Sequence, residues 1–173
     1  MIEELGIRES VPSDAASIEK LYPDAFPDED LLPLVRELLR DETETLSLVA
    51  IVDQALVGNI LFTTCSIEGG TDKVALLGPL AVASDWRWRG IGGELIRKGL
   101  QLLKDAGVVQ VYVLGDPAYY GRAGFKSDAK VMPPYALPAE WGAAWQSVNL
   151  NKVQPPHGKL AVPQPWQQPA LWR

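Results

Sequence analysis

Between Val74 and Val82 the chain is apolar throughout, and polar residues return at Ser84 and Asp85. A run of that length with polar ends predicts a strand buried on both faces, at the centre of a sheet. From Glu94 to Lys104 apolar residues recur at Leu95, Ile96, Leu100 and Leu103, the spacing of one helix face, and Gly107 can supply the left-handed closure. Val108 to Leu114 is apolar again. Strand 74–83, helix 93–106 and strand 108–114 therefore read as a βαβ unit, right-handed if its strands are parallel.

Upstream, Ile7 to Ser10 reads as a short strand, and a helix of about a dozen residues follows, with Ser13 or Asp14 accepting the free amides of its first turn. Pro23, Pro27 and Pro33 interrupt the next segment. A second helix is predicted from near Leu31 to about Asp41, with Leu31, Leu34, Val35, Leu38 and Leu39 on one face. Leu46 to Val52 and Ala55 to Thr64 are β-type runs separated by Asp53-Gln54, which predicts a hairpin, and Gly69-Gly70 breaks the chain before the central strand. Beyond Lys130 the pattern changes: residues 131–173 hold 8 of the 14 prolines and 4 of the 6 tryptophans. Trp141, Trp145, Trp166 and Trp172 give this stretch more apolar surface than disorder carries, so it reads as an irregular Pro/Trp-rich tail packed on the domain, with one strand around Trp145 to Leu150. The expected organisation is a domain over 1–150 with 151–173 as that tail. Ala136 through Trp145 reads as a core-facing helical turn.

Length and charge narrow the classes. The 173 residues fit one core, and no apolar run reaches the length of a membrane span. Met1 to Glu4 lacks the basic-then-apolar start of a secretory signal, so neither export nor a membrane is expected and the cytosol is the expected compartment. Cys65 and His157 are the single cysteine and histidine, which makes a disulfide or a zinc site unexpected, and no metal is assigned. The net charge of −6 argues against a nonspecific nucleic-acid binder, but it is uneven: residues 1–53 carry −10 and residues 54–173 carry +4.

The candidate chemistry lies in Arg87-Trp88-Arg89-Gly90-Ile91-Gly92-Gly93, between the buried strand and the strong helix. Glycines let a backbone approach a ligand closely, and a helix N-terminus carries about half a positive charge, so such a turn can cradle a phosphate or pyrophosphate. Arg87 and Arg89 add charge-assisted donors. The helix opens Gly92-Gly93-Glu94, which is no Walker loop, and Gly90, Gly92 and Gly93 miss the Gly-x-Gly-x-x-Gly dinucleotide spacing. Without a ligand the same segment is a tight strand-to-helix turn. Trp86 and Trp88 flank Arg87, either as an aromatic platform or as packing residues.

Arg87-x-x-Gly90-x-Gly92 resembles the Gln/Arg-x-x-Gly-x-Gly/Ala signature of the GNAT superfamily of N-acetyltransferases. Gly78-Pro79-Leu80-Ala81-Val82 is similar to that family's central strand, and Tyr120-x-x-x-Gly124-Phe125 to a later element. The run Val113 to Phe125 further resembles the YhbS-like subset of predicted acetyltransferases. The likeness covers about residues 5–130. It implies an α/β fold, a mixed and mostly antiparallel twisted sheet flanked by helices, and acetyl-CoA as co-substrate. It also implies that backbone groups of Leu80, Ala81 and Val82 pair with the pantetheine arm. The amides of Arg87, Trp88, Arg89, Gly90, Ile91, Gly92 and Gly93 would hold the pyrophosphate, and two central strands would splay to admit the thioester. Tyr120 would protonate the departing thiolate, with Tyr119 as its neighbouring competitor; a phenol with pKa near about 10 is a competent acid toward a thiolate.

The acceptor implied is an amine, on a small molecule or a protein, attacking the thioester directly. No base for it stands out. Glu29, Asp30 and Glu37 are acceptor-side candidates by resemblance and otherwise a solvated helix face; His157 reads as a surface or packed residue, and Cys65 as a buried strand thiol. Asp116 with Pro117 reads as a helix cap at least as readily as a ligand. The alternative to an enzyme is a non-catalytic acyl-CoA-binding or sensing module, and a third reading makes the Trp/Pro tail a partner-binding surface. Neither nucleic acid nor membrane is an expected partner, and the oligomeric state, a dimer included, is open.

Overall fold

Left-handed backbone at Asp53 (φ 49°) and Gln54 (φ 68°) turns strand β2 (Thr45–Val52) into β3 (Ala55–Ile67), as the two-residue break between apolar runs predicts. The computed structural model describes residues 4–40, 43–151 and 154–173. Its contacts group the chain into two compact units, Met1–Phe62 with Gly78–Gly99, and Thr63–Leu77 with Leu100–Arg173.

In the first unit β1 (Gly6–Glu9) pairs antiparallel with β2, and the strand order is β1-β2-β3-β4, where β4 is Val74–Val82. Helix α1 (Ala15–Ala25) starts one residue after Asp14, but the Asp14 carboxylate does not cap it. It accepts two hydrogen bonds from the Arg8 guanidinium, at 2.8 and 2.9 Å, and one from Val11 N. A charged bidentate partner outcompetes the neutral first-turn amides. Pro23 lies inside α1 rather than ending it: only one intrahelical bond is lost so near the C-terminus, and Leu21, Tyr22 and Ala25 are buried. Pro33 sits in the first turn of α2 (Leu32–Leu38), where no amide is needed. That helix is shorter than the predicted 31–41, and the expected end at Asp41 lies outside the described residues.

Helix α3 (Ile91–Asp105) begins earlier than its apolar repeat and ends before Gly107, whose φ is +89°. Its first turns lie against β3 so closely that a Cβ on Gly58 would fall 3.1 Å from Leu95 Cδ1 and 3.3 Å from Ile91 Cγ2. Gly99 faces Phe62, and a Cβ there would overlap the Phe62 ring. Two glycines, one on each element, thus set the helix-to-strand distance.

In the second unit the strands order β3-β4-β5-β8-β6, with β5 at Gln110–Leu114, β6 at Lys126–Ser127 and β8 at Trp145–Asn149. The β4–β5 pairing is parallel, Val74–Leu76 against Gln110–Tyr112, and β8 is antiparallel to β5. Three short strands are not apparent from the sequence pattern: β6, β7 (Val131–Met132) and β9 (Gly158–Ala161); β7 and β9 pair with each other, and β9 also pairs with β3. Trp145 opens β8 instead of closing a helical turn; residues Ala139–Ala144 before it are 3-10 helix. Its ring stacks on Tyr112 at 5.6 Å and meets Trp172 edge-on, and Trp172 in turn meets Trp166. Each indole nitrogen has an acceptor: Val131 O for Trp145, Thr63 Oγ1 for Trp166 and Trp166 O for Trp172. Residues 158–172 are thereby anchored in their own unit, since a buried indole N–H without a partner would cost about 1–3 kcal/mol.

The architecture is a mixed α/β fold with an open, mostly antiparallel sheet flanked by helices, as the resemblance implies. Among the described residues no helix is long and apolar enough to cross a membrane.

Candidate functional site

Strand β4 leaves the core through an alternation: Ala81 is buried, whereas Leu80 and Val82 are half-buried. Its end is held by Ala83 N donating to Val57 O at 2.8 Å. A 3-10 turn over Ser84–Trp86 follows, and then Arg87, Trp88, Arg89 and Gly90, all exposed, lead into α3. Trp88 and Gly90 have left-handed φ values of 64° and 80°. Gly90 tolerates this freely; an aromatic residue does not, and such strain persists where the surrounding structure enforces it, most often at ligand sites. The Trp88 side chain is 98% exposed, so it packs on nothing, contrary to the packing alternative for it. Trp86 is half-buried, with the Arg89 guanidinium 4.8 Å above its ring.

Glu94 N donates to Gly90 O, the first main-chain bond of α3, so the amides of Ile91, Gly92 and Gly93 have no acceptor within the helix. Ile91 and Gly92 are buried, while Gly93 is exposed and a Cβ there would meet open space. Free first-turn amides, the positive helix end and four arginine or glycine positions open to solvent make this loop an anion-binding shape. Arg87 is not free to swing: its Nη2 donates to Ala25 O at 2.9 Å. The Asp24 carboxylate accepts from Ser84 N at 2.7 Å and Ser84 Oγ at 2.8 Å. These Ser84 bonds, aided by the Arg87 charge, hold the Asp24 pKa below the usual carboxylate range. Three hydrogen bonds thus fasten the C-terminal end of α1 to the loop after β4, a link no sequence spacing revealed.

A cavity of about 300 Å³ opens at the same end of α1. The rings of Tyr22 and Phe26, stacked at 6.4 Å, and the side chains of Leu31 and Leu32 form its apolar wall. The Tyr22 hydroxyl points away into a bond to Asn59 Oδ1 at 2.7 Å, and burial raises its pKa. Pro23, Pro27, Asp28, Glu29 and Asp30 line the rest. Of the acceptor-side candidates, Glu29 and Asp30 therefore belong to one cavity and Glu37 does not.

In the second unit Asp116 caps the short helix α4 (Pro117–Tyr120), accepting from Ala118 N at 2.9 Å, with Pro117 at the first helical position. This is the capping role of the two readings. The Tyr120 ring lies against the backbone of Gly115, where a Cβ would come within 2.9 Å of Tyr120 Cδ2 and closer to Cε2. Phe125 and Tyr119 meet it edge-on at 5.8 and 5.0 Å. Burial raises the pKa of both phenols, that of Tyr120 the more, so each stays protonated well past neutrality. His157 is exposed. Cys65 is buried, which pushes its thiol up to about 12 and leaves it unreactive at neutral pH. Among the described residues no cluster of His, Cys, Asp or Glu could hold a metal ion.

Residues 15–125, which include this strand, loop and helix, match the acetyltransferase (GNAT) family. The chain belongs to that family. It is 38% identical over 146 residues to the uncharacterized N-acetyltransferase YjhQ of Escherichia coli K12, covering 80% of this chain and 81% of that one. It is 35% identical over 148 residues to the uncharacterized N-acetyltransferase YhbS of the same strain, covering 85% and 86%. The crystal structure of E. coli YhbS in complex with CoA superposes with a TM-score of 0.84 at 28% identity, over 95% of this chain and 93% of that one. A GNAT family acetyltransferase from Brucella melitensis in complex with acetyl-CoA gives 0.77 at 32% identity, over 94% and 98%.

Proposed function

We propose that this protein binds acetyl-CoA through β4 and the loop before α3 and transfers the acetyl group directly to an amine. The observation that carries the reading is the exposed loop Arg87–Gly90, left-handed at Trp88 and Gly90 and leading into a 15-residue helix. The amides of Ile91, Gly92 and Gly93 bind the pyrophosphate, with Arg87, Trp88, Arg89 and Gly90 forming the rest of the cradle. Backbone groups of Leu80, Ala81 and Val82 pair with the pantetheine arm. The CoA and acetyl-CoA complexes of the E. coli and Brucella relatives support this assignment.

In the transfer, the lone pair of a neutral amine nitrogen forms a bond to the acetyl carbonyl carbon and the carbon–sulfur bond breaks. The Tyr120 phenol gives its proton to the departing thiolate, the proton released by the amine leaves to solvent, and the Tyr120 phenolate is reprotonated from solvent. Burial keeps Tyr120 in the donor form across the physiological range, and its seat on Gly115 fixes the ring. Membership of the family supports a cytosolic site of action.

Isothermal titration with acetyl-CoA, followed by thiol-release assays over an amine panel, tests the proposal. Saturable binding and acetylation of at least one amine are expected. Absence of binding at about millimolar cofactor would overturn it.

A further inference from the structure

Gln146 is 1% exposed, within the sheet of the second unit. Its strand, β8, is paired on both sides, with Gln146 opposite Val113 of β5 and Ser127 of β6, so the backbone that carries the side chain is held fast. A buried amide needs partners, and the Gln146 Nε2 donates to Gly115 O at 3.0 Å and to Ala144 O at 3.3 Å, which accounts for both of its N–H groups. The strand pairing does not require a glutamine here. The β5–β8 register ends at Leu114 and Trp145, and beyond it Gly115 N already donates to Ala144 O. At a buried position an apolar side chain would avoid the cost of desolvating an amide. What the glutamine adds is a hold on the Gly115 carbonyl, the oxygen of the peptide that joins β5 to Asp116.

That peptide is where α4 starts. Asp116 caps the helix, and its carbonyl accepts from Tyr119 N at 3.1 Å and Tyr120 N at 3.0 Å, so a helix of four residues turns as the peptide before it turns. Gly115 is also the residue against which the Tyr120 ring lies, with no room for a Cβ between them. We propose that Gln146 is a positioning residue for acetyl transfer: by fixing the Gly115–Asp116 peptide it sets where α4 carries the Tyr120 hydroxyl. The inference rests on the reading of Tyr120 as proton donor given above. Neither Gln146 nor Gly115 is among the residues proposed to cradle the cofactor, so the loss of this amide acts on turnover and leaves acetyl-CoA affinity alone. A rate that depends steeply on the placement of a reacting group gives such a contact leverage on kcat beyond its share of stability.

The test is a double-mutant cycle of Gln146→Met with Tyr120→Phe in the full chain. Methionine keeps the length of the side chain and removes both N–H groups. Thiol release from acetyl-CoA gives kcat with the amine turned over fastest among n-butylamine, benzylamine, spermidine and a lysine-containing peptide; calorimetry gives the acetyl-CoA Kd, and thermal unfolding gives Tm. Gln146→Met is expected to lower kcat about tenfold and to change Kd less than about twofold. In the Tyr120→Phe background the same substitution should lower kcat by less than about twofold more, while it lowers Tm equally in both backgrounds. A purely structural glutamine would cost the same factor in kcat with or without the phenol. Should Gln146→Met not fold, Gln146→Glu, which keeps the shape and turns a donor into an acceptor, takes its place in the cycle. Turnover within about twofold of the parent, an equal loss in both backgrounds, a matching rise in Kd, or failure of both variants to fold overturns the inference while acetyl transfer stands. Parent-like turnover in Tyr120→Phe alone overturns the proton-donor reading and this inference with it, and failure to acetylate any amine overturns both and the acetyl-transfer reading.

Discussion

Replacing Gly115 with Ala perturbs Tyr120 without touching it. The backbone at Gly115 is held on both sides, its N–H donating to Ala144 O and its carbonyl accepting from Gln146 Nε2 at 3.0 Å. It cannot retreat from a new methyl group, and its φ is not left-handed, so alanine is free of conformational strain. The added Cβ would lie 2.9 Å from Tyr120 Cδ2 and nearer still to Cε2, whereas ordinary contact begins at about 3.4 Å. The ring must therefore move by about 0.5 to 1 Å. A displacement of about 1 Å in a reacting group costs on the order of 10²-fold in rate, so kcat should fall by about that factor while the acetyl-CoA Kd changes less than about twofold. Overpacking should lower stability by about 1–3 kcal/mol, against a gain of about 0.4–1 kcal/mol from the glycine-to-alanine entropy term. The assay is steady-state thiol release with titration calorimetry and thermal unfolding on the same samples. If the ring's position matters through its hydroxyl, the Gly115→Ala, Tyr120→Phe double variant loses no more than the worse single variant. Turnover of Gly115→Ala within about twofold of the parent, with the fold intact, would refute the assignment of Tyr120 as proton donor.

Tyr120→Phe should lower kcat by about 10²-fold and leave acetyl-CoA affinity almost unchanged, measured by the same two assays. Because burial raises its pKa, Tyr120 remains protonated below about pH 10, so no loss of kcat on that account is expected between about pH 8 and 10; a basic limb that disappears in Tyr120→Phe would contradict this. Gly90→Glu should abolish cofactor binding in calorimetry, since a Cβ meets open space but φ is +80° and the carboxylate opposes an anion. Gly99→Ala should lower the unfolding free energy by about 1–3 kcal/mol through overlap with Phe62, and Phe62→Leu should recover part of it in denaturant melts. The Arg8 guanidinium lowers the Asp14 pKa, so this pair's contribution is complete above the ordinary carboxylate value and lost as pH falls through the lower folded value; acid titration of Asp14→Asn should show a shallower loss of stability.

The elements that a sequence pattern can encode are those whose reasons are local. The hairpin at Asp53-Gln54, the face of α3 and the Asp116-Pro117 cap each depend on neighbours within a turn or two, and all three are as the pattern reads. Asp14 misled because its partner, Arg8, lies on a strand outside the helix it begins. Pro23 misled because burial of Tyr22 and Leu21 outweighs one lost hydrogen bond. At Trp145 helical spacing from Trp141 competed with strand pairing to β5, and pairing won. The glycine-rich segment was legible as a tight strand-to-helix turn from composition and order alone, and the structure has that turn. The cavity was not: Tyr22, Phe26 and Leu32 converge only once α1 and α2 are folded, and Asp24 meets Ser84 across 60 positions.

That loop carries the central claim, and calorimetric titration of the unaltered protein and of Gly90→Glu with acetyl-CoA tests it most directly. The account predicts one saturable site with a Kd in about the micromolar range in the unaltered chain and no measurable heat in the variant, whose fold is checked by circular dichroism because φ +80° strains a non-glycine residue there. Equal binding by both proteins, or by neither, would contradict it.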